Sequence, residues 1–133
     1  MHTAFISHPD CLLHEMGSHH PECPARLNAI EDQLIASGLM TTLEHYAAPL
    51  VTRAQLERVH TPEYIDSLEA RAPTSGIVYL DPDTAMNSHS LRAAYRAAGA
   101  VVLATDLVIG RKAANAFCSI RPPGHHAEHD RAM

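Results

Sequence analysis

The stretch "NAFCSIRPPGHHA", residues 115–127, joins an apolar run to a turn that carries two adjacent histidines. Its first part, "NAFCSI", predicts a β-strand. The two prolines that follow fix the backbone φ angle, and Gly124 can adopt conformations that are closed to other residues. In α/β sheets, ligand crevices form at the carboxyl ends of strands. The stretch therefore predicts a stiff turn that presents His125 and His126 at the mouth of a crevice.

The chemistry of imidazole makes this histidine pair a candidate for proton transfer. Histidine titrates near pH 6.5 when it is unperturbed, so it can both accept and donate a proton close to neutrality. For an arbitrary histidine pair, a surface loop with two solvated rings is the ordinary explanation. The combination of strand end, double proline, glycine and histidine pair instead favours a functional site.

Helices that alternate with sparse strands predict an α/β fold. The pattern predicts a strand at 3–6, a helix from Pro24 to Ser37, a short strand within "LEHYAAPL", helices at 53–59 and from Thr61 to Pro73, and a long helix from Ser88 to Ile109. The stretch "APTSGIVYLDPDTAMN" (72–87) predicts an exposed loop because it is rich in turn residues. Only two or three strands are visible, so the predicted sheet is incomplete.

The middle of the long helix, "RAAYRAAGAVVLA" (92–104), carries little side-chain bulk. Alanine is the best helix former, and small residues allow neighbouring segments to approach the backbone closely. The segment therefore predicts a buried scaffold helix.

Composition narrows the class of protein. The chain has 133 residues, enough for one domain, and a net charge of −5 that argues against tight binding to nucleic acid. Its longest apolar run, residues 100–110, is too short to span a bilayer and contains Asp106, so no membrane association is expected. No secretory signal is visible and the three cysteines are odd in number, which predicts a reduced, cytoplasmic setting.

The closing stretch "AFCSIRPPGHHAEHDRAM" resembles the signature of the zinc-dependent histone deacetylase family, which includes bacterial deacetylase-like amidohydrolases, acetylpolyamine amidohydrolases and acetoin-utilisation proteins. Three further stretches support the resemblance in the order of the family: "HPECPARLNAI" (20–30), "VHTPEYIDSL" (59–68) and "LDPDTAMNSHSLRAAYRAAGAV" (80–101). The resemblance implies the N-terminal part of an arginase/deacetylase-type three-layer fold, with a central, mainly parallel sheet that is incomplete in this chain.

The resemblance also implies roles for individual residues. In this family a catalytic zinc ion polarises an acyl carbonyl and activates a water molecule. His126 matches the general base that later protonates the leaving amine, and His125 matches its neighbour, which stabilises charge or shares the proton transfer. Arg26 matches an arginine that lines an internal cavity. Asp81 and Asp83 lie in the loop that flanks the substrate entrance. The implied substrates are acetylated proteins, acetylpolyamines or small acyl amides.

The family's zinc ligands, two aspartates and a histidine, belong to motifs that this sequence does not contain. We therefore expect residues 1–133 to be the N-terminal part of a single deacetylase-family domain, truncated after the "RPPGHHA" motif. We expect the isolated chain to lack metal ligands and deacetylase activity. We also expect exposed apolar surfaces on the sheet edge and on the helix faces, which would make self-association plausible.

Two alternatives from other classes of protein remain open at this point. Six potential zinc ligands lie within sixteen positions and would define a small structural zinc module, although their spacing fits no familiar pattern: His8, Cys11, His14, His19, His20 and Cys23. The second alternative is a non-catalytic binding or assembly protein that kept the fold and lost the chemistry.

Overall fold

A computed structural model describes all residues, 1–133. The strands are β1 (Thr3–Ser7), β2 (Leu43–Ala47), β3 (Val78–Asp81), β4 (Thr84–Met86) and β5 (Asn115–Ser119). The α-helices are α1 (Ala25–Ala36), α2 (Arg53–Leu56), α3 (Pro62–Arg71) and α4 (Ser90–Ile109), and single-turn 3₁₀ helices form at Pro9–Leu12 and Leu39–Thr42.

The centre of the molecule is a three-stranded, fully parallel sheet with the strand order β2-β1-β5. Ile6 in β1 lies opposite Tyr46 on one side and Cys118 on the other. The middle strand is buried on both faces, because neither Phe5 nor Ile6 is more than 4% exposed. Since parallel strands need helical crossovers, this sheet confirms the predicted α/β class.

Helix α4 packs against one face of this sheet. Side chains alternate along a strand, so the even-numbered residues of β1 and β5 point towards α4. The core cluster on this face consists of small and aliphatic residues: Ala4, Ile6, Ala48, Ala100, Leu107 and Ala113. On the opposite face Phe5 stacks on Phe117, with ring centroids 6.0 Å apart. None of the helices has the length and apolar character that a membrane span requires.

Most elements lie where the sequence predicts them. Thr52 and Gln55 form the expected capping box, although α2 ends at Leu56 rather than at residue 59. Gly38 adopts a left-handed conformation, with φ of 76°, just beyond the end of α1. The prediction of an exposed loop at 72–87 is wrong, because this stretch contains the antiparallel hairpin β3-β4. Turn residues dominate its composition, yet Ala85 and Met86 are buried.

Gly99 is the point of closest approach to α4, and the small residues of this helix serve the predicted purpose. A Cβ atom at this position would lie 1.9 Å from the carbonyl oxygen of Pro49. On helix propensity alone, Gly99→Ala would stabilise α4 by about 1 kcal/mol. Because the clash is with the backbone, we expect overpacking to dominate and the free energy of unfolding to fall by about 1–3 kcal/mol in urea titrations.

The neighbouring substitution Ala98→Gly is the control for this prediction. Ala98 is only partly buried, so this variant should lose about 1 kcal/mol through helix propensity alone. A Gly99→Ala chain that is as stable as the unaltered protein would contradict the close contact between α4 and residues 49–51.

Candidate functional site

The predicted strand-end turn is present. Strand β5 ends at Ser119, and Gly124 closes the turn with a φ of 59°, a left-handed conformation that glycine adopts without strain. The rings of His125 and His126 follow at a centroid distance of 4.2 Å and an interplanar angle of 49°. Both residues are exposed. The sequence therefore located the pair correctly at the carboxyl end of a parallel strand.

Arg121 fixes the chain immediately before the pair. Its side chain is completely buried and donates from Nε and Nη2 to the Glu22 carboxylate, at 3.1 and 2.9 Å. Its Nη1 donates to the carbonyl oxygens of Cys11, at 2.9 Å, and of His14. One guanidinium group thus ties the end of β5 to the first loop of the chain. The sequence patterns did not reveal this role, since the residues involved lie about a hundred positions apart.

The first loop is held against α4 by polar contacts. Asp10 accepts hydrogen bonds from Nε of Arg96 at 2.9 Å and from Nε of Arg92 at 3.0 Å. The hydrogen bond from Arg96 keeps the pKa of the Asp10 carboxyl below its usual value. Asn87 donates from Nδ2 to the carbonyl oxygen of Leu13 at 2.9 Å. These contacts place the following residue, His14, deep in the protein.

His14 is buried, although its sequence context predicts an ordinary loop residue. It is 2% exposed, and its Nδ1 lies 2.6 Å from the hydroxyl oxygen of Ser90. Burial and the positive charge of Arg121 lower its pKa to about 4, so the ring is neutral at pH 7. Its Nε2 has no hydrogen-bond partner, and the nearest carboxylate oxygen, on Glu22, is 4.0 Å away.

A cavity of about 520 Å³ lies in front of the histidine pair. Its walls are mostly apolar and come from the turn, α3, α4 and the hairpin, with His125, His126, Tyr64, Leu68, Tyr95 and Met86 among the lining residues. His14 and Glu22 also reach it. An apolar cavity with a few convergent polar groups is the usual form of a small-molecule site.

Of the other predicted site residues, Asp83 lines this cavity, whereas Asp81 and Arg26 do not. Asp83 sits on the β3-β4 turn, lines the cavity, and lies 3.0 Å from Nε2 of His20. Asp81 instead accepts a hydrogen bond from the backbone nitrogen of Asp83, which lowers its pKa. Arg26 does not line the cavity; it donates to Glu22 at 3.3 Å and to the carbonyl oxygen of Ile120 at 2.8 Å. Its predicted place in an internal cavity stays a prediction.

The donors of this chain do not fit a zinc site. No group of three or more histidine, cysteine, aspartate or glutamate side chains is arranged to hold a metal ion. The six candidates for a structural zinc module do not converge either. His8 caps the first 3₁₀ helix, His14 contacts Ser90, and His20 contacts Asp83. The residues of this chain therefore do not form a zinc site by themselves.

An α/β sheet whose strand-end turn presents two histidines to an apolar cavity has the architecture of a ligand-binding α/β domain. Residues 20–133 match the histone deacetylase domain. This chain belongs to that family. The match covers most of the chain and confirms the resemblance that the closing stretch suggests.

Individual relatives agree with this assignment. The chain is 36% identical over 133 residues to a probable deacetylase of Archaeoglobus fulgidus, covering 96% of this chain and 36% of the relative. It is 31% identical over 148 residues to a histone deacetylase-like amidohydrolase of Pseudomonas aeruginosa, covering 98% and 39%. The crystal structure of the HDA15 HD domain superposes with a TM-score of 0.89 at 37% identity, covering 99% of this chain and 38% of that one. The chain thus spans about two fifths of these proteins.

Proposed function

We propose that this chain supplies the proton-transfer residues of a zinc-dependent deacetylase domain that hydrolyses N-acetyl-lysine or related N-acyl amides. The observation that carries the proposal is the close pair of imidazoles, 4.2 Å apart, at the wall of an apolar cavity. We place the zinc ligands of such a protein outside residues 1–133, in keeping with a chain that forms the N-terminal part of one domain. We also propose a reduced, cytoplasmic setting, which the three unpaired cysteines support.

Each histidine has a separate part in the proposed reaction. His126 takes a proton from the attacking water as the water oxygen bonds to the acyl carbon, and then gives a proton to the amine nitrogen as the C–N bond breaks. The products are a carboxylate and a protonated amine, which takes up the second proton of the water. His125 lies beside it and stabilises the charge that develops. The walls of the cavity exclude bulk water and hold the apolar part of the acyl chain.

The substrate class follows from the relatives as a proposal. A mouse relative that is 32% identical over 143 residues is named polyamine deacetylase HDAC10, whereas others are named histone deacetylases. Asp83 stands 90% exposed at the cavity wall. A carboxylate there would attract the cationic part of a lysine- or polyamine-based substrate. We therefore propose acetylated lysine or polyamine as the substrate.

Activity assays test the proposed function directly. The chain alone is expected to show no chelator-sensitive hydrolysis of an acetyl-lysine peptide or of an acetylpolyamine. A chimaera in which this chain replaces the matching segment of the Archaeoglobus fulgidus probable deacetylase is expected to hydrolyse at least one of them. A folded but inactive chimaera would favour the non-catalytic binding or assembly alternative. Activity of the isolated chain would show that it needs no further residues.

Self-association is a separate proposal that concerns the free edge of β5. This strand pairs with β1 alone, and Phe117 at its centre is 46% exposed. We propose a second copy as its partner, because two-fold antiparallel pairing of this strand would place Phe117 opposite its own counterpart. Such aromatic cross-strand pairs stabilise sheets. On the opposite face of the same sheet edge, Val108 and Ile109 line an apolar groove between β5 and α4.

Light scattering over a range of concentrations tests the dimer. We expect a dimer for the unaltered chain and a monomer for Phe117→Lys, since a lysine on an edge strand opposes pairing. Tyr79→Lys replaces an aromatic side chain on the hairpin that is even more exposed than Phe117, and it should leave the dimer intact. A monomer at every concentration would rule out this proposal.

A further inference from the structure

The segment that carries the histidine pair, residues 122–133, is hydrogen-bonded to the rest of the protein at one place. Only two hydrogen bonds join residues 122–133 to the remainder of the chain. Nδ1 of His60 lies 2.9 Å from the carbonyl oxygen of Glu128, and the backbone nitrogen of Thr61 donates to the carbonyl oxygen of His129, also at 2.9 Å. Two consecutive donors therefore meet two consecutive acceptors.

The histidine pair lies between this contact and a second fixed point. On the amino-terminal side, the buried guanidinium of Arg121 fixes the chain four residues before His125. On the carboxyl-terminal side, Glu128 is fixed two residues after His126. Within the segment, the backbone nitrogen of Ala127 donates to the carbonyl oxygen of Gly124 at 3.0 Å. The pair thus belongs to a short loop that is tethered at both ends.

His60 is itself held firmly at the junction of α2 and α3. Its backbone nitrogen donates to the carbonyl oxygen of Leu56 at 2.9 Å, and its ring lies 5.2 Å from that of Tyr64. The next residue, Thr61, caps α3 through its side chain. A residue that ends one helical turn and precedes the cap of the next helix has little freedom to move. The donor to Glu128 is therefore pre-positioned.

The tautomer of His60 follows from its partner. A carbonyl oxygen can only accept a hydrogen bond, so Nδ1 must carry the proton. That N–H is present in both the neutral and the protonated imidazole. The hydrogen bond to Glu128 therefore does not require one particular charge state of His60.

We propose that His60 is a positioning residue for the histidine pair and acts through the backbone carbonyl of Glu128. His60 lines the same cavity as the pair, and its proposed role is to restrict the loop that carries His125 and His126. The inference rests on the proposed function in that it concerns the same pair. A general base has to stay within hydrogen-bond reach of the proton it removes. A base on a freely moving loop would seldom be in that position, so the reaction would be slower.

Nuclear magnetic resonance relaxation of the 133-residue chain tests the tether without any activity assay. In the unaltered chain, the backbone order parameters of His125 and His126 should be about 0.85, which is typical of a rigid backbone. In His60→Ala they should fall below about 0.6, as in flexible segments. The thermal midpoint, measured in parallel, separates this local loosening from general destabilisation.

Two further variants sharpen the test. His60→Asn places an amide nitrogen near the position of Nδ1 and should restore rigidity to the loop. His45→Ala is a matched control, because His45 also contacts a backbone carbonyl, that of Met40, and an aromatic ring, that of Phe5, but far along the chain from the pair. This variant should leave the order parameters of the pair unchanged.

Several outcomes would overturn the proposal. These are a loop that is already flexible in the unaltered chain, a rigid loop in His60→Ala, or equal loosening in the His45→Ala control. A loss of sheet amide dispersion in His60→Ala would mark global unfolding, and the decision would then rest on His60→Asn, whose loop must be rigid. Because none of these readouts uses catalysis, an inactive chimaera would not affect them.

Discussion

Replacement of His126 by alanine is expected to lower kcat by about 10²- to 10⁴-fold in an active protein that contains this chain, with little change in KM. The physical reason is that a water molecule without a base is a poor nucleophile and an amine is a poor leaving group unless it is protonated. His126 lies at the cavity wall and can serve both steps. The measurement is steady-state hydrolysis of an acetyl-lysine substrate by the chimaera, followed over pH.

Two other histidines give this prediction its controls. The side chain of His129, three residues further on, is exposed and pairs with Asp130 at 3.6 Å; because an alanine keeps the backbone carbonyl that Thr61 contacts, His129→Ala should leave kcat nearly unchanged. His125→Ala should have a smaller effect than His126→Ala, because the proposed role of His125 is to stabilise charge beside the base. Full activity of the His126→Ala protein would remove the general-base assignment, and equal losses for all three variants would point to a general structural effect.

The sequence could predict those parts of the fold that depend on local patterns. Helix α3 begins at Pro62, directly after its cap Thr61, and Ile65 is buried on its inner face, as the spacing of apolar residues indicates. The small residues of α4 predict the close approach that Gly99 makes to Pro49. Strand pairing was harder to foresee, because the hairpin β3-β4 is short and the turn residues around Pro82 outweigh its apolar alternation.

The candidate site shows the same division between local and long-range information. The pair and its turn are local, so the sequence located them correctly. The contact between Arg121 and Glu22 joins residues 99 positions apart, and no periodic pattern in the sequence predicts it. The buried His14 contacts Ser90, which lies 76 positions away. The sequence marked His14 only as a polar residue in a loop, and many exposed residues fit the same description.

Arg121→Met is expected to destabilise the protein strongly. Removing one partner of a buried ion pair costs about 3–5 kcal/mol, because the other charge and its acceptors are left without a donor. Without Arg121, the Glu22 carboxylate, which is only 16% exposed, would keep only the longer ion pair with Arg26. Two buried carbonyl oxygens, those of Cys11 and His14, would also lose their donor. With a urea m-value of about 1–3 kcal/mol/M, the unfolding midpoint should fall by about 2 M.

Arg26→Met is the matched control, since both arginines bind the same carboxylate. The Arg26 side chain is 40% exposed and its ion-pair distance to Glu22 is 3.3 Å, so solvent weakens the contact and the cost should be about 1 kcal/mol or less. Circular dichroism during urea unfolding measures both variants. If Arg121→Met is no less stable than Arg26→Met, the guanidinium of Arg121 does not hold the turn. The rigidity of the histidine pair would then have to come from the His60 contact alone.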